Sequence, residues 1–310
     1  MTKNPLLIVL GATASGKTKL AVTVAAALNG EIISADSRQV FKGMDIGTGK
    51  DLNEYRINGK QISYHLIDHK EPGQRYQVNA FKEDFYEVFE SLTAQHKLPI
   101  LCGGTGMYIH SLLQQHEYTA IPVNQTLRQQ LMPYELSKLQ AVLRAYPPSL
   151  WAHADQSTHK RLIRAIEIAE YLQHNKLETT PKISFDPLII GLNSAVETRR
   201  TRIRERLEQR LQEGLVEEVQ QLLAKGVSQE ILVFYGLEYK FVVAYLSGEL
   251  NYHDFKERLF TAICQFAKRQ MTFFRKMEKD GVDIHWFGID EESGIEVKVV
   301  ELYEKSFLIK

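Results

Sequence analysis

The chain has 310 residues, of which 44% are hydrophobic and 25% are charged, and its formal net charge at pH 7 is zero. This balance excludes a uniformly basic surface, so any nucleic-acid binding must rest on local patches. The two cysteines, Cys102 and Cys264, are far apart in sequence, which excludes a disulfide framework and a cysteine zinc site. No run approaches the roughly 18 apolar residues of a membrane span, and we expect a soluble, cytoplasmic protein.

The first element in chain order is an apolar run at residues 6–10, followed directly by a glycine-rich loop. The loop matches the pattern Gly-x-x-x-x-Gly-Lys-[Ser/Thr], and a helix-forming stretch follows it at residues 17–28. The helix N-terminus and the backbone N–H groups favour an anion, Lys17 supplies charge, and the Thr18 hydroxyl is a candidate ligand for Mg²⁺. We therefore predict a di- or triphosphate site formed by Gly11, Ala12, Thr13, Ala14, Ser15, Gly16, Lys17 and Thr18.

Short apolar runs alternate with helical patterns along the first third of the chain. Strands are predicted at residues 6–10, 31–34, 62–67 and 99–102, and helices at 17–28 and 78–95. Such alternation indicates an α/β, P-loop NTPase-like fold, with a parallel sheet and helices on both of its faces. Asp36, Asp68 and the Gly-Gly-Thr-Gly turn at 103–106 each follow a strand. Because ligands bind beyond the carboxyl ends of such strands, we expect these residues at one edge with the phosphate loop.

The pattern changes after about residue 117. Prolines interrupt polar helical stretches until another apolar run begins at residue 187. We interpret residues 118–185 as a mostly helical insertion between two parts of the core, which comprise residues 1–117 and 186–310. The second part of the core is predicted to be mostly helical as far as residue 278.

The phosphate loop alone does not specify a reaction, because kinases, GTPases and ATPases share it. A GTPase is expected to carry the motifs Asp-x-x-Gly and Asn-Lys-x-Asp, and the sequence contains neither. Asp68 has two interpretations. It is either a magnesium aspartate on a second strand or an aspartate that only satisfies the end of its own strand.

Two basic segments are also open to alternatives. Arg199, Arg202, Arg206 and Arg210 are three or four residues apart and share a helix face, which is either an anion clamp or a solvated, salt-bridged surface. The segment at 266–276 interleaves basic and aromatic residues, as contacts to phosphates and bases require. Alternatively, its aromatic residues pack into the core while the charged ends reach solvent. These aromatic residues are Phe266, Phe273 and Phe274.

Several blocks, in the same order from residue 11 to about 275, make the sequence similar to the tRNA dimethylallyltransferases. The longest is Ile-Ser-Ala-Asp-Ser-Arg-Gln-Val-Phe-Lys-Gly-Met-Asp-Ile-Gly-Thr at 33–48. The others include His-Leu-Ile-Asp at 65–68, Gly-Gly-Thr-Gly-Met-Tyr-Ile at 103–109, Lys-Arg-Leu-Ile-Arg-Ala-Ile-Glu at 160–167 and Ala-Lys-Arg-Gln at 267–270. The sequence departs from the family pattern at Ala12, Phe41, 49–51, Val196, Arg199, 235–240 and Phe273.

The resemblance implies transfer of a dimethylallyl group from dimethylallyl diphosphate to N6 of adenine 37 in the anticodon loop of tRNA. The phosphate loop would hold the diphosphate leaving group, with Mg²⁺ bound at Thr18, and Arg202 is an implied diphosphate contact. Asp36 is the expected general base, and Thr105 is expected beside the bridging oxygen. The alternatives are that Asp36 is a loop cap or magnesium ligand and that the turn at Thr105 satisfies only its own backbone.

The same resemblance implies contacts with tRNA, because an adenine stacked in a loop must be extruded to reach a buried base. The expected contacts are Asp36, Ser37, Arg38, Gln39, Lys160, Arg161, Leu162, Ile163, Arg164, Lys268, Arg269 and Gln270. We expect the helical insertion to close over the RNA and the chain to act as a monomer. Adenylate isopentenyltransferases, small-molecule kinases and a non-catalytic RNA-binding switch stay open as alternatives.

Overall fold

The computed structural model describes residues 4–114, 117–152, 154–177 and 182–308. The chain forms two compact units. The first consists of Met1–Leu113 and Ile183–Lys310, and the second of Gln114–Lys182. The second unit begins and ends within a few residues of the insertion predicted at 118–185.

The strands belong to the first unit. They are β1 (Asn4–Gly11), β2 (Gly30–Ser34), β3 (Arg56–Ile57), β4 (Lys60–Gln61), β5 (Tyr64–His65), β6 (Leu98–Gly103), β7 (Phe185–Asn193) and β8 (His285–Gly288). Six of them form a parallel sheet in the order β5-β2-β6-β1-β7-β8, while β3 and β4 form a separate antiparallel pair. In this register Leu7 of β1 lies beside Ile100 of β6 and Leu188 of β7.

Strand β1 is central and is buried on both faces. Leu6, Ile8 and Leu10 belong to the core on one face, whereas Leu7 and Val9 belong to the core on the other. Successive side chains of a strand point to opposite faces, so a central parallel strand needs an uninterrupted apolar run. The five-residue run in the sequence meets this requirement.

Helices pack on both faces of the sheet in the first unit, as the sequence predicts, and further helices form the second unit. In chain order they are α1 (Lys17–Ala27), α2 (Val78–Ala94), α3 (Gly106–Leu113), α4 (Gln125–Leu131), α5 (Leu136–Arg144), α6 (His159–His174), α7 (Val196–Gln212), α8 (Leu215–Ala224), α9 (Gln229–Tyr235), α10 (Leu237–Leu246), α11 (Tyr252–Lys279) and α12 (Ile295–Phe307). Helices α1 and α12 cover one face, and α2, α3 and α7–α11 cover the other. Within the described residues, no helix combines the length and the apolar composition that crossing a membrane requires.

Helices α4–α6 give the second unit a core of its own. Leu139 of α5 and Leu162 and Ile166 of α6 are fully buried there. The buried carboxylate of Glu167 accepts hydrogen bonds from Arg128 Nε at 2.9 Å and from Arg128 Nη2 at 2.8 Å. The helical character predicted for this segment is therefore observed in its described residues.

Two features at the edges of the sheet differ from the sequence prediction. The strand predicted at 62–67 is reduced to β5, because Leu66 (φ 61°) and Asp68 (φ 53°) adopt left-handed conformations that end it. Strand β8 and helix α12 lie beyond the predicted elements. All four residues of β8 are only half-buried, so this edge strand lacks the apolar run that marks the central ones.

Candidate active site

The loop between β1 and α1 leaves a helix N-terminus open to a ligand. Gly16 (φ 79°) and Ala14 (φ 63°) adopt left-handed conformations, and Gly16 is the N-cap of α1. Ser15 N donates a hydrogen bond to Ala12 O at 3.3 Å, which tightens the turn. In the described part of the chain, no side chain caps the first turn of α1. The N–H groups and the dipole of this helix are therefore available to an anion.

A cavity of about 190 Å³ lies next to this loop, where the chain leaves the carboxyl ends of β1, β2 and β6. Residues from the loops and from helices α7, α10 and α11 line it. The loop residues include Thr13, Lys17, Thr18, Asp36, Ser37, Arg38, Gln39 and Thr105. The structure thus brings the phosphate loop, Asp36 and Thr105 to one cavity at the predicted edge of the sheet.

Asp36 is both a cap and a lining residue of the cavity. Its Oδ1 accepts hydrogen bonds from Arg38 N at 2.9 Å and from Gln39 N at 3.4 Å. Among the described residues, Oδ2 has no hydrogen-bond partner. The cap predicted as an alternative is therefore present, but it occupies one oxygen and leaves the other for a ligand.

Thr105 is tied to the same turn. Its Oγ1 accepts a hydrogen bond from Ser37 N at 3.2 Å, and its own N donates to Ala35 O at 3.2 Å. The side chain therefore satisfies the turn after β2 instead of only its own turn. Because Oγ1 acts as the acceptor in this bond, the hydroxyl proton remains available to a ligand in the cavity.

Asp68 does not line the cavity. Its carboxylate pairs with the Lys50 ammonium, which is fully buried and also donates to Phe41 O at 2.7 Å. Of the two interpretations of Asp68, the structure supports the aspartate that satisfies the end of its strand. Asp68 is needed there by Lys50, because a buried ammonium requires nearby anionic and carbonyl acceptors.

The cations beside the phosphate loop come from α1 and α7. Nη2 of Arg206 contacts Thr13 Oγ1 of the phosphate loop. Burial lowers the pKa of Lys17, and burial together with the positive charge of Arg210 lowers the pKa of Arg206 to about 10. Burial makes these cations poorly solvated, so an anion bound between them would be favoured.

The role of Arg202 as a diphosphate contact stays a prediction. Arg202 is half-buried on α7 and is not among the residues that line the cavity, whereas Arg206 and Arg210, one and two turns further along the helix, are. The spacing of the four arginines predicts a common face, but only the packing of α7 decides which part of that face meets the phosphate loop.

Arg210 and Glu238 form a charged pair that sequence reasoning missed. Arg210 Nη1 lies 3.9 Å from Glu238 Oε1, and its Nη2 lies 3.6 Å from Asp51 Oδ2. Burial raises the pKa of Glu238, and the Arg210 charge opposes this rise. The signal available in the sequence is that Asp51 and Glu238 both fall in blocks that depart from the family pattern.

Gln270 joins two loops of the site. It is buried on α11, where its Oε1 accepts a hydrogen bond from Thr13 N at 2.9 Å and its Nε2 donates to Gly104 O at 2.9 Å. It thereby connects the phosphate loop to the turn after β6, and it also lines the cavity. Its role as a tRNA contact stays a prediction.

The rest of the segment at 266–276 divides between the two predicted alternatives. Lys268 and Arg269 are exposed on α11. Phe274 is fully buried and Phe273 is half-buried, as the core alternative predicts. Phe266 is 42% exposed and lines the cavity, as the binding alternative predicts.

The predicted tRNA contacts of the second unit also divide. Lys160 and Arg161 are exposed, and Arg161 Nη1 pairs with Asp155 at 2.7 Å. The side chains of Leu162 and Ile163 are buried in the core of this unit. Arg164 Nη2 donates to the carbonyl oxygens of Tyr118 at 3.0 Å and of Ile121 at 2.7 Å. The side chains of Leu162, Ile163 and Arg164 therefore stabilise the unit, and their contacts with tRNA stay predictions.

The phosphate loop offers few donor atoms for Mg²⁺. Among the described residues there is no cluster of three or more His, Cys, Asp or Glu that would hold a metal ion by itself. Thr18 lines the cavity beside Lys17. Since Mg²⁺ commonly keeps its waters and binds through substrate phosphates with few protein ligands, a lone hydroxyl at a phosphate site fits this ion.

Comparison with known proteins identifies the family. The model of the IPP transferase family matches residues 39–277. The chain belongs to the IPP transferase family. It is 48% identical over 299 residues to tRNA dimethylallyltransferase 2 of Bacteroides fragilis, covering 96% of this chain and 97% of the relative. It is 50% identical over 281 residues to tRNA dimethylallyltransferase 2 of Porphyromonas gingivalis, covering 91% and 93%. The resemblance read from the motifs is confirmed.

Solved structures of related proteins share the fold. The full-length tRNA isopentenylpyrophosphate transferase of Bacillus halodurans superimposes with a TM-score of 0.72 at 29% identity, covering 98% of this chain and 97% of that one. A eukaryotic dimethylallyltransferase acting on tRNA gives a TM-score of 0.73 at 23% identity, over 93% of this chain and 74% of the other. The predicted α/β fold is confirmed.

Proposed function

We propose that this protein is a tRNA dimethylallyltransferase, which transfers a dimethylallyl group from dimethylallyl diphosphate to N6 of adenine 37 in tRNA and releases diphosphate. The observation that carries the proposal is that the phosphate loop, Asp36 and Thr105 line a single cavity. A leaving group and a base thus face one reaction space, as transfer between a diphosphate and an amine requires.

The phosphate loop binds the diphosphate of the donor. Cleavage of the carbon–oxygen bond leaves both electrons on the bridging oxygen, so negative charge grows on the departing diphosphate. The α1 N-terminus, Lys17 and Arg206 stabilise this charge, and they are already in place before the reaction. Mg²⁺ held by Thr18 and the phosphates would supply further charge neutralisation.

Asp36 accepts the proton from N6. The amine of adenine is a weak nucleophile because its lone pair is delocalised into the ring, and removal of its proton as the new bond forms contributes about 10²- to 10⁴-fold. Oδ1 is held by the backbone of Arg38 and Gln39, which orients the carboxylate, and Oδ2 is the proton acceptor. The hydroxyl of Thr105 donates to the bridging oxygen of the donor.

RNA reaches this cavity through an extruded adenine. Arg38, Lys268, Arg269 and Phe266 supply charge and an aromatic surface in the first unit, and Lys160 and Arg161 supply exposed charge in the second. Single-stranded RNA loops are commonly recognised by this combination. The chain acts as a monomer in the cytoplasm, where its tRNA substrate is found.

The test uses purified protein with Mg²⁺, radiolabelled dimethylallyl diphosphate and either unmodified tRNA or AMP. We expect label in tRNA, mapped to adenine 37, and none in AMP. Label in AMP alone would assign the protein to the free-nucleotide transferases. Label in neither acceptor would refute prenyl transfer, and ATP turnover with small hydroxyl compounds would then test the kinase alternative.

A further inference from the structure

The irregular segment 45–51, here called the wall loop, overlaps the end of the longest family block. It lines the cavity with Gly47, Thr48, Gly49 and Asp51. A loop of this kind has no ladder of secondary-structure hydrogen bonds to hold its shape. Its backbone N–H groups must therefore find other acceptors.

A buried carboxylate supplies these acceptors. Glu218 of α8 is only 9% exposed, and its Oε2 accepts hydrogen bonds from Asp45 N and Ile46 N, both at 2.7 Å. Its Oε1 accepts from Gly47 N at 3.0 Å and from the Tyr239 hydroxyl at 2.8 Å. Hydrogen bonds to an ionised acceptor are about twice as strong as neutral ones, so this carboxylate fixes three consecutive residues of the loop.

Side chains of α7 and α10 lie close to the backbone of the wall loop. A Cβ at Gly47 would lie 2.6 Å from the Tyr239 ring, and one at Gly49 would overlap the Arg210 guanidinium. Gly49 also has a φ of 63°, which favours glycine. The wall loop is therefore packed closely against α7 and α10 and cannot move away from the cavity without displacing them.

The ends of the wall loop are connected to the two reacting groups. Gln39 Nε2, beside the Asp36 turn, donates to Gly49 O at 2.9 Å. Asp51 pairs with Arg210 at 3.6 Å, and the charge of Asp51 also reaches Arg206, which contacts the phosphate loop. The loop is thus connected to the elements that hold the donor diphosphate and the expected base, and it lines the cavity in which the transferred group must fit.

We propose that Glu218 and Tyr239 are positioning residues that hold the wall loop in place, and that the fixed loop limits the length of the prenyl group which the cavity accepts. This inference rests on the proposed function, since it concerns the donor of the same reaction. Glu218 does not line the cavity, and the hydroxyl of Tyr239, which does line it, donates to Glu218. Their effect is on donor specificity, because a fixed wall rejects extra carbons whereas a released wall can yield to them.

The test compares Glu218→Gln with Glu217→Gln, a matched control at the exposed neighbouring position on α8. Glutamine keeps the size of the side chain but replaces one accepting oxygen with an N–H₂ group that repels the loop amides. Each variant is assayed for transfer to tRNA from dimethylallyl diphosphate and from geranyl diphosphate, which has one more isoprene unit. We expect the wild-type preference, expressed as the ratio of kcat/KM values, to fall by about tenfold or more in Glu218→Gln and to be unchanged in Glu217→Gln.

A second pair of variants covers the case in which Glu218→Gln fails to fold. Tyr239→Phe removes only the hydroxyl, and Tyr245→Phe on the same helix is its control. The preference should fall in Tyr239→Phe alone, and hydrogen exchange of segment 44–51 should accelerate. An equal loss with both donors, or an unchanged ratio in a folded variant, would overturn the inference while leaving the proposed function standing. A wild-type protein that transfers neither group would refute both.

Discussion

Replacement of Gln270 by leucine tests the joint between the phosphate loop and the turn after β6. Leucine has a similar volume but cannot hydrogen bond, so Gly104 O and Thr13 N both lose a partner at 2.9 Å. The carbonyl of Gly104 keeps a hydrogen bond from Gly106 N at 3.1 Å, so loss of the Gln270 donor costs about 0.5–1.5 kcal/mol. Loss of the Gln270 acceptor at the half-buried N–H of Thr13 costs a similar amount, about 0.5–1.5 kcal/mol, since water can replace the amide oxygen. We expect a loss of about 1–3 kcal/mol in total.

The assay has two readouts and a matched control. We expect the Tm of Gln270→Leu to fall by about 2–4 °C. Affinity for inorganic diphosphate, measured by calorimetric titration, should fall about tenfold, because a free energy of 1.4 kcal/mol lost from the ordered loop corresponds to that factor. Gln265→Leu, at an exposed position of the same helix, should change neither value. If Gln270→Leu kept both the Tm and the affinity of the wild type, Gln270 would not join the two loops.

Three further predictions concern the reaction and its substrates. Asp36→Asn should lower kcat by about 10²- to 10⁴-fold while tRNA affinity changes little, since asparagine removes the proton acceptor and keeps the shape of the side chain. Equal losses in single-turnover rate and in tRNA binding would contradict the general-base role. Arg206→Ala should raise the KM for dimethylallyl diphosphate at least about tenfold through loss of a charged contact. Arg202→Ala should raise this KM much less, because of the two arginines only Arg206 lines the cavity. A larger rise in Arg202→Ala would favour Arg202 as the diphosphate contact. Arg269→Ala should weaken tRNA binding and reduce the slope of log K against log salt by about one, and an unchanged slope in filter binding would show that this arginine does not contact phosphate.

Local patterns predicted the elements that hold the ligand-binding edge. The apolar run at 6–10, the glycine-rich loop and the helix after it are contiguous in the chain, and their spacing leaves few alternative conformations. The positions of Asp36 and Thr105 also follow from local evidence, because each comes directly after a strand and parallel strands present their carboxyl ends at one edge. Resemblance to a family then indicated the chemistry, which the local pattern left open among several enzyme classes.

Short or partly exposed segments were harder to predict. β5 is cut short by two left-handed residues at Leu66 and Asp68, and the sequence carries no glycine there to mark the bend. β8 is a half-buried edge strand without an apolar run. In both places a local conformation depends on neighbours that are distant in sequence.

The sequence by itself determined the phosphate loop, the parallel sheet with helices on both faces, the family and the residue types for the reaction. Only the tertiary structure decided which member of each candidate set faces the cavity. Arg206 lines the cavity whereas Arg202 does not, and Gln270 contacts the two loops whereas Lys268 and Arg269 are exposed. Successive helical residues point about 100° apart, so the rotation and packing of α7 and α11 select these side chains. Glu218, more than 170 positions from the backbone that it holds, shows the same dependence on packing.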